Sequence, residues 1–524
     1  MERHEQIVAG VAEQIQQFHQ LSQPYRIFHG SSNSTRPRHD PRRQNIIDVS
    51  ALSHVLSVNT ETLTALVEPN VPMDRLVEAT LPHGVVPPVV MEFPGITAGG
   101  GFSGSSAESS SFRHGFFNDN INFVEMVLPS GEVVRASPSE RADLFHGAAG
   151  ALGTLGTVTL MELRLVKASS FVKTTYHRTE SIDESIKLIE SKTTDFGYDY
   201  LDGILFSRDH GVIVSGEMVD DIPPGHEPRT FSGAGDPWFY MHVEEITKNL
   251  PESASTLIEY VPLGEYLFRY DRAGFWVGRQ GYTYFKCVPF NRFFRWLLDD
   301  FSHTRTLYHA LHASGVSSQF VVQDLGLPYS TAGKFIDFVE DKLAIWPLWL
   351  CPLRAAQTPT FHPVTAHDST EKSNASLLDE KAVSSSTGNS LSSPMLNIGV
   401  WGWGPSECDA FLRANRELED ELVRLGGRKW LYAHTYYSEA EFWRVYDRPW
   451  YESLRQKYKA TSLPSVYDKV KIDVDAKRKK MESETWVAGI TSRWPVGGLW
   501  GMWLAWRSGD IGCHREAQWK FKQS

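Results

Sequence analysis

An α+β chain of two domains and a tail is expected from three features of this 524-residue sequence. Apolar residues recur at helical spacing in some stretches and alternate in others. Three short segments of small residues punctuate the first 160 positions, and a tryptophan-rich tail follows the charged run Lys477-Arg-Lys-Lys480. A net charge of −11 and a pI near 6.0 leave no basic field, so no nucleic-acid partner is expected. The composition, 41% hydrophobic and 22% charged, is that of a folded protein. No eighteen uncharged apolar residues run together, so no membrane-spanning helix is expected. Met1-Glu-Arg-His-Glu-Gln6 has no secretory character. Cys287, Cys351, Cys408 and Cys513 lack the spacing of a zinc site or a disulfide framework. A cytoplasmic, reducing location without a metal follows as the expectation.

Ile7, Val8, Val11, Ile15 and Phe18 predict an amphipathic helix over residues 5–21. Residues 25–28 read as a strand that ends in a turn of small and polar residues, 29–35. Strands are expected at 45–49 and 63–68. A helix is expected at 74–83, with Gly84 just past its end. Residues 94–115 are dominated by glycine and serine, too little side-chain volume for a core, and are expected to be loop that something can approach closely. Residues 121–136 read as a hairpin. Gly147, Gly150, Gly153 and Gly156 then lead into a strand at 158–166, where the first domain closes near residue 168. A second α+β domain is expected over 169–470, with strands at 203–206 and 212–216. It carries a serine-rich insertion at about 356–395, which is expected to be disordered. After it come a strand at 396–401, a helix at 406–425 and a strand at 430–437. Residues 471–524 form the tail.

Gly99-Gly-Gly101-Phe-Ser-Gly104 satisfies GxGxxG, but prolines precede it and a serine-rich stretch follows, so the context of a Rossmann fingerprint is missing. Three separate loops, 29–35, 95–115 and 147–156, could instead converge on a pyrophosphate through backbone N–H groups.

His29-Gly30, Pro94-Gly95-x-Thr97-x-Gly99-Gly100, Ser109 with His114-Gly115, Val127-Leu-Pro-Ser-Gly131-Glu132, Asp143-Leu-Phe145 and Gly150-x-x-Gly153-x-x-Gly156 follow one another in an order that resembles a known domain. It is the PCMH-type FAD-binding domain of the vanillyl-alcohol oxidase and p-cresol methylhydroxylase superfamily. Further segments are similar to the delta-24 sterol reductases, flavoenzymes that saturate the sterol side chain. These are Glu108-Ser-Ser-Ser111, Gly153-Thr-Leu-Gly156, Glu259-Tyr-Val-Pro-Leu263, Val321-Val-Gln-Asp-Leu325, Trp346-Pro-Leu-Trp-Leu-Cys-Pro-Leu353, Leu431-Tyr-Ala433, Glu441-Phe-Trp443 and Val466-Tyr-Asp-Lys469. The resemblance implies a two-subdomain FAD domain followed by an α+β cap domain. It implies non-covalent FAD, with NADPH as the hydride donor that reduces the C24–C25 double bond of a sterol or related triterpenoid. The pyrophosphate is expected against His29, Gly30, Ser31, Ser32, Asn33, Ser34, Thr97, Gly99, Gly100, Gly104 and Ser105. The isoalloxazine is expected near Glu108, Ser109, Gly115, Gly156 and Val158. The membrane anchor of animal and plant relatives is not found here, and the serine-rich insertion and the tail depart from the family pattern. An oxygen-dependent oxidase of the vanillyl-alcohol oxidase type and a non-catalytic sterol-binding flavoprotein stay open, because a fold does not fix a reaction.

An unactivated trisubstituted alkene accepts hydride once its less substituted carbon is protonated, which asks for a general acid, a dry pocket and aromatic faces. The stretch Leu431–Tyr437 would place Tyr432, His434 and Tyr436 on one face of a strand and Tyr437 on the other. Tyr432 is the expected proton donor, with His434 to orient it or relay the proton and Tyr437 as the alternative. Arg269, Arg272 and Trp276 are weaker candidates, for a nicotinamide phosphate or for packing. In the tail, Trp494–Trp506 is uncharged and too short to span a bilayer. It suits either a peripheral contact, as on the endoplasmic reticulum membrane, or a strap over the cap.

Overall fold

A computed structural model describes residues 1–30, 45–195, 197–248, 250, 256–285, 288–313, 319–364, 390–472 and 496–522. Ser31, Ser32, Asn33 and Ser34, most of the serine-rich insertion, the charged run at 477–480 and Cys287 lie outside these residues.

The first half is built on a five-stranded antiparallel sheet. Its order is Val55–Asn59, Thr64–Val67, Thr157–Arg164, Ile121–Val127 and Val133–Ala136. Strand 55–59 was missed by the sequence reading. The expected helix is Glu2–Gln20, with Val8, Val11 and Ile15 buried. Its His4 is buried between Glu68 (2.9 Å) and Glu125 (3.2 Å), which pins the helix to the sheet. Arg26–Phe28 pairs in parallel with Ile46–Asp48. The helix expected at 74–83 is Met73–Thr80 followed by a 3-10 turn, and Gly84, at φ +69°, ends it in the left-handed conformation that glycine adopts without strain.

The glycine-serine stretch is less loop-like than its composition suggests. Ala98–Ser103 is a short helix capped by Thr97, whose hydroxyl accepts from Gly100 N–H at 3.2 Å, and Ser111–His114 forms one further turn. Local capping and contact with Pro69 organise residues whose side chains supply no packing.

The second half centres on an eight-stranded sheet. Its order is Thr256–Pro262, Phe171–Thr179, His210–Val219, Tyr200–Ser207, Leu348–Leu353, Met395–Trp403, Phe320–Leu327 and Arg428–Lys429. Alternation sorts its side chains onto two faces. Leu201, Leu205, Val321, Leu325, Leu348, Leu350, Ile398 and Val400 enter an aliphatic core shared with the helices Ile182–Lys192, Tyr329–Leu343 and Cys408–Arg424. The intervening positions, among them Asp202, Asp324, Trp349, Cys351, Asn397 and Trp401, belong to the opposite face.

Residues 430–437 are not a ladder strand, which corrects the expectation. Burial does alternate along them as foreseen, with Leu431, Ala433, Thr435 and Tyr437 buried and Tyr432, His434 and Tyr436 half-buried. Trp430 N–H donates to the Asp324 carbonyl at 3.0 Å and Thr435 N–H to that of Val470 at 2.9 Å, and a buried ion pair holds further backbone groups. Lys429 Nζ lies 2.8 Å from Glu419 and donates to the His434 carbonyl at 2.6 Å, while Tyr436 N–H donates to both Glu419 carboxylate oxygens at 3.0 Å.

From Trp430 onward the chain returns to the first half, so the packing changes well before residue 470, where the domain boundary was expected. Tyr451 donates to Thr154 Oγ1 at 2.8 Å, Lys469 Nζ donates to the Leu152 carbonyl at 2.8 Å, and Lys457 meets Asp143 at 2.6 Å. In the tail, Val496–Arg507 is a helix that packs Gly498 onto Tyr284 and Phe285 and buries Gly497, Gly501 and Ala505. Its large side chains face outward: Leu499 is 56%, Trp500 44%, Trp503 41% and Trp506 64% exposed. Residues 508–522 form a strap across the seam between the two halves. Gln518 N–H donates to Glu78 and Phe521 N–H to Glu265, and Trp519 packs on Phe268. No helix among the described residues is long and apolar enough to cross a membrane.

Candidate active site

The second and third small-residue loops meet, and the third also approaches the strand that leads into the first. A Cβ on Gly153 would come within 3.1 Å of Ile27, just ahead of the first loop, and one on Gly150 would overlap the Ser105 hydroxyl of the second. Gly150 N–H donates to the Phe102 carbonyl at 3.0 Å, and Leu152 N–H to that of Ser103 at 3.1 Å. Several of the expected glycines are therefore required by chain packing. A side chain at Gly99 would strike the Pro69 backbone, at Gly104 the Gly100 carbonyl, at Gly115 the Asp119 carboxylate and at Gly156 the Val127 carbonyl. Gly100 differs, since it is exposed and a Cβ there would meet side-chain atoms alone, Thr97 Oγ1 at 3.2 Å and Ile96 Cγ2 at 3.9 Å. His29 and Gly30 are exposed at the start of the first loop, with Gly30 at φ +74°. Val158, half-buried, starts the strand that leaves the third loop.

Beyond Ser105 this loop runs along the seam. The Ser109 carbonyl accepts from Leu201 N–H at 2.7 Å, and the Ser105 carbonyl accepts from Trp430 Nε1–H at 2.9 Å. The second bond hangs the Tyr432 segment on the glycine loop, and Ala107 and Tyr432 pack against one apolar cluster that contains Phe116 and Trp430. Glu108, next in sequence, is half-buried on the same seam.

The sheet face opposite the helices forms the other wall. Asp324 lies on a central strand, where Asn397 Nδ2 donates to Oδ1 at 2.9 Å and the Tyr432 hydroxyl donates to Oδ2. Burial, opposed by the bonds from Asn397 and Tyr432, raises Asp324 to about 6. Burial and the Asp324 charge push the Tyr432 phenol well above its usual value. Beside this pair stand aromatic rings: Trp401 lies 4.5 Å from Phe275 and 5.9 Å from Trp349 between centroids, and Phe275 stacks on Tyr270 at 4.0 Å.

Farther along the seam Arg269, 2% exposed, meets Glu92 at 3.0 Å and Asp202 at 3.1 Å. Asp202 also accepts from Tyr270 (2.9 Å) and Trp349 (3.0 Å). One guanidinium cannot neutralise three neighbouring carboxyls. Burial, partly offset by Arg269 and reinforced by Asp202, raises Glu92 to about 8, and burial with the Glu92 charge raises Glu108 well above the carboxylate range. Among the described residues, Asp202 Oδ1 and Arg269 Nε are buried without a hydrogen-bond partner. Arg272 is equally buried and pairs with Asp299 at 2.8 Å, so neither arginine is presented to a nicotinamide phosphate.

A flavin dinucleotide fits this cleft on two observations. The open backbone at Gly100 admits close approach, and two buried atoms at the far end, Asp202 Oδ1 and Arg269 Nε, lack a hydrogen-bond partner among the described residues, which a polar ring edge would supply. The expected catalytic residues separate. Tyr432 faces the cleft. His434 is engaged through its carbonyl by Lys429 and is not the group the Tyr432 hydroxyl bonds. Tyr437 points to the other side, its hydroxyl donating to the Glu419 carbonyl at 3.4 Å. The sequence reading missed Asp324 as the partner of Tyr432, although the motif Val321–Leu325 contains it.

Residues 7–137 match the FAD binding domain family. The chain is 28% identical over 433 residues to the Delta(24)-sterol reductase of Macaca fascicularis, covering 80% of this chain and 76% of the relative. The same figures hold for the Homo sapiens protein of that name. The Arabidopsis thaliana protein of that name is 27% identical over 465 residues, 84% of this chain and 78% of the relative. The FAD binding domain match and the similarity to the delta(24)-sterol reductases of animals and plants mark the chain as an FAD-dependent oxidoreductase.

Proposed function

We propose that the protein reduces the side-chain C24–C25 double bond of a sterol or related triterpenoid, with NADPH as hydride donor. The observation that carries this reading is the Tyr432–Asp324 pair beside the Trp349–Trp401–Phe275 wall, in a cleft that begins at the glycine loops. An acid set among aromatic faces is what protonation of an unactivated alkene requires: the donor supplies the proton and the rings stabilise the tertiary cation. The flavin, bound without a covalent link along Gly30, Thr97–Ser105, Glu108 and Ser109, supplies two-electron transfer. Arg269 and its carboxyls orient the polar edge of the ring, and the apolar walls keep water from the cation.

Incubating the holoenzyme with NADPH and a sterol bearing a C24–C25 double bond should add two hydrogens, located by mass spectrometry in the side chain. If NADPH leaves the flavin oxidised while an alcohol bleaches it, the oxidase reading replaces this one. If sterol binds without turnover under any reductant, the protein is a non-catalytic binder.

The tail helix supports a second part of the proposal, a peripheral contact with the endoplasmic reticulum membrane from the cytoplasmic side. Its small residues face the protein and its tryptophans face out, the reverse of a helix that ends in water. At twelve residues it lies on a bilayer rather than through it.

A further inference from the structure

Tyr432 is a poor acid by itself, because burial beside a carboxylate disfavours the phenolate it would leave. If Asp324 were ionised when Tyr432 gave up its proton, two negative charges would face each other across one hydrogen bond in buried surroundings. Burial works against this state by favouring the neutral carboxyl, outweighing the hydrogen bonds from Asn397, Tyr432 and Trp401 that favour its charge. Asn397 donates to one oxygen and Tyr432 to the other, so the carboxyl is held in one orientation from two elements. The remaining titratable groups facing it are Tyr308 from the helix Thr304–Ala313, Glu108 from the serine loop and Cys351 from the neighbouring strand. Burial favours the neutral form of all three, and among the described residues no cation stands against Asp324 to keep it ionised.

We propose that Asp324 is the proton store for Tyr432, so that alkene protonation is a two-proton relay from Asp324 through Tyr432 to carbon. This inference rests on the reductase reading. In the relay the Tyr432 O–H bond breaks as a C–H bond forms at the less substituted alkene carbon. The Asp324 carboxyl proton moves to the Tyr432 oxygen, and the tertiary cation takes hydride from the reduced flavin, which is oxidised. Asp324 is left as a carboxylate and recovers its proton from solvent. Tyr432 is the catalytic residue that touches substrate, and Asp324 is a positioning residue that acts through it.

The experiment is stopped-flow reoxidation of dithionite-reduced holoenzyme by a C24–C25 unsaturated sterol, across pH and in H2O–D2O mixtures. In the wild type the rate should fall about tenfold per pH unit above the Asp324 pKa of about 6, and should depend on deuterium fraction along a curve, as two transferred protons require. Asp324→Asn keeps an acceptor for the Tyr432 hydroxyl but removes the acid. It should react roughly 10² to 10³ times slower, with no such pH slope. The same variant should lose a protonated-carboxyl infrared band that titrates near pH 6 in the sterol-free wild type. A linear deuterium dependence in the wild type overturns the relay without any variant. An Asp324→Asn protein with wild-type pH slope overturns it too, while leaving the reductase reading intact. Wild-type enzyme that no sterol reoxidises overturns both.

Discussion

Tyr432 and Gly100 are the two positions where one atom group decides between rival readings. Tyr432→Phe keeps the ring packed against Ala107 and removes only the hydroxyl. It should leave flavin reduction by NADPH unchanged and slow sterol-dependent reoxidation by roughly 10² to 10⁴, measured as the two half-reactions. Equal reoxidation rates would return the phenol to a packing role. Gly100→Asp tests the cofactor seat more cleanly than a change at Gly99, Gly104 or Gly156 would, since those glycines are needed by the chain itself. The variant should fold with the melting temperature of flavin-free wild type and be purified colourless, because a carboxylate would face the pyrophosphate. Full flavin absorbance would move the seat elsewhere. Glu92 offers a pH test with a definite sign. Burial raises its pKa from 4.5 to about 8, so its contribution to stability is full below the unfolded pKa and is lost as pH rises toward 8. Urea midpoints of the wild type should fall between pH 5 and 8 by more than those of Glu92→Gln.

The segment 430–437 shows why alternation in a sequence can be read correctly while the element it belongs to is not. Period-two burial needs only an extended chain, and this one is held by Lys429 and Glu419, two charged residues that a reading by hydrophobicity assigns to the surface. Asp324 was hidden for a related reason. Alternation within Val321–Leu325 sets it on one face of a strand, but only the strand order brings it to Tyr432, 108 residues away. The glycine loops, the first helix and the 121–136 hairpin were readable because caps, turns and periodicity act within a few residues. Lys429→Met should cost about 3 to 5 kcal/mol in urea unfolding, since it leaves the Glu419 carboxylate buried without its cation. In the tail helix, replacing Trp500, Trp503 and Trp506 together by serine should abolish co-sedimentation with phosphatidylcholine vesicles. Flavin content and melting temperature should stay unchanged, because all three rings lie outside the core. Vesicle binding that persists would leave the helix without its proposed role.

The molecule joins sequence-distant parts at one seam: the glycine loops, the bare face of the eight-stranded sheet, the returning segment from Trp430, and the strap that packs Trp519 on Phe268. Such a site is invisible to local pattern, which names the loops but not the wall they face. The same arrangement divides the tryptophans into two classes. Trp276, Trp349, Trp401 and Trp430 are buried around the cleft, whereas Trp296, Trp500, Trp503 and Trp506 stand in solvent. Indole emission overlaps flavin absorption, so cofactor loading should dim the blue-shifted emission of the first class by energy transfer. Immersion in lipid should instead shift the red emission of the second class. The protein thus carries two intrinsic optical reporters, one for each of its proposed contacts, and a single emission spectrum resolves them.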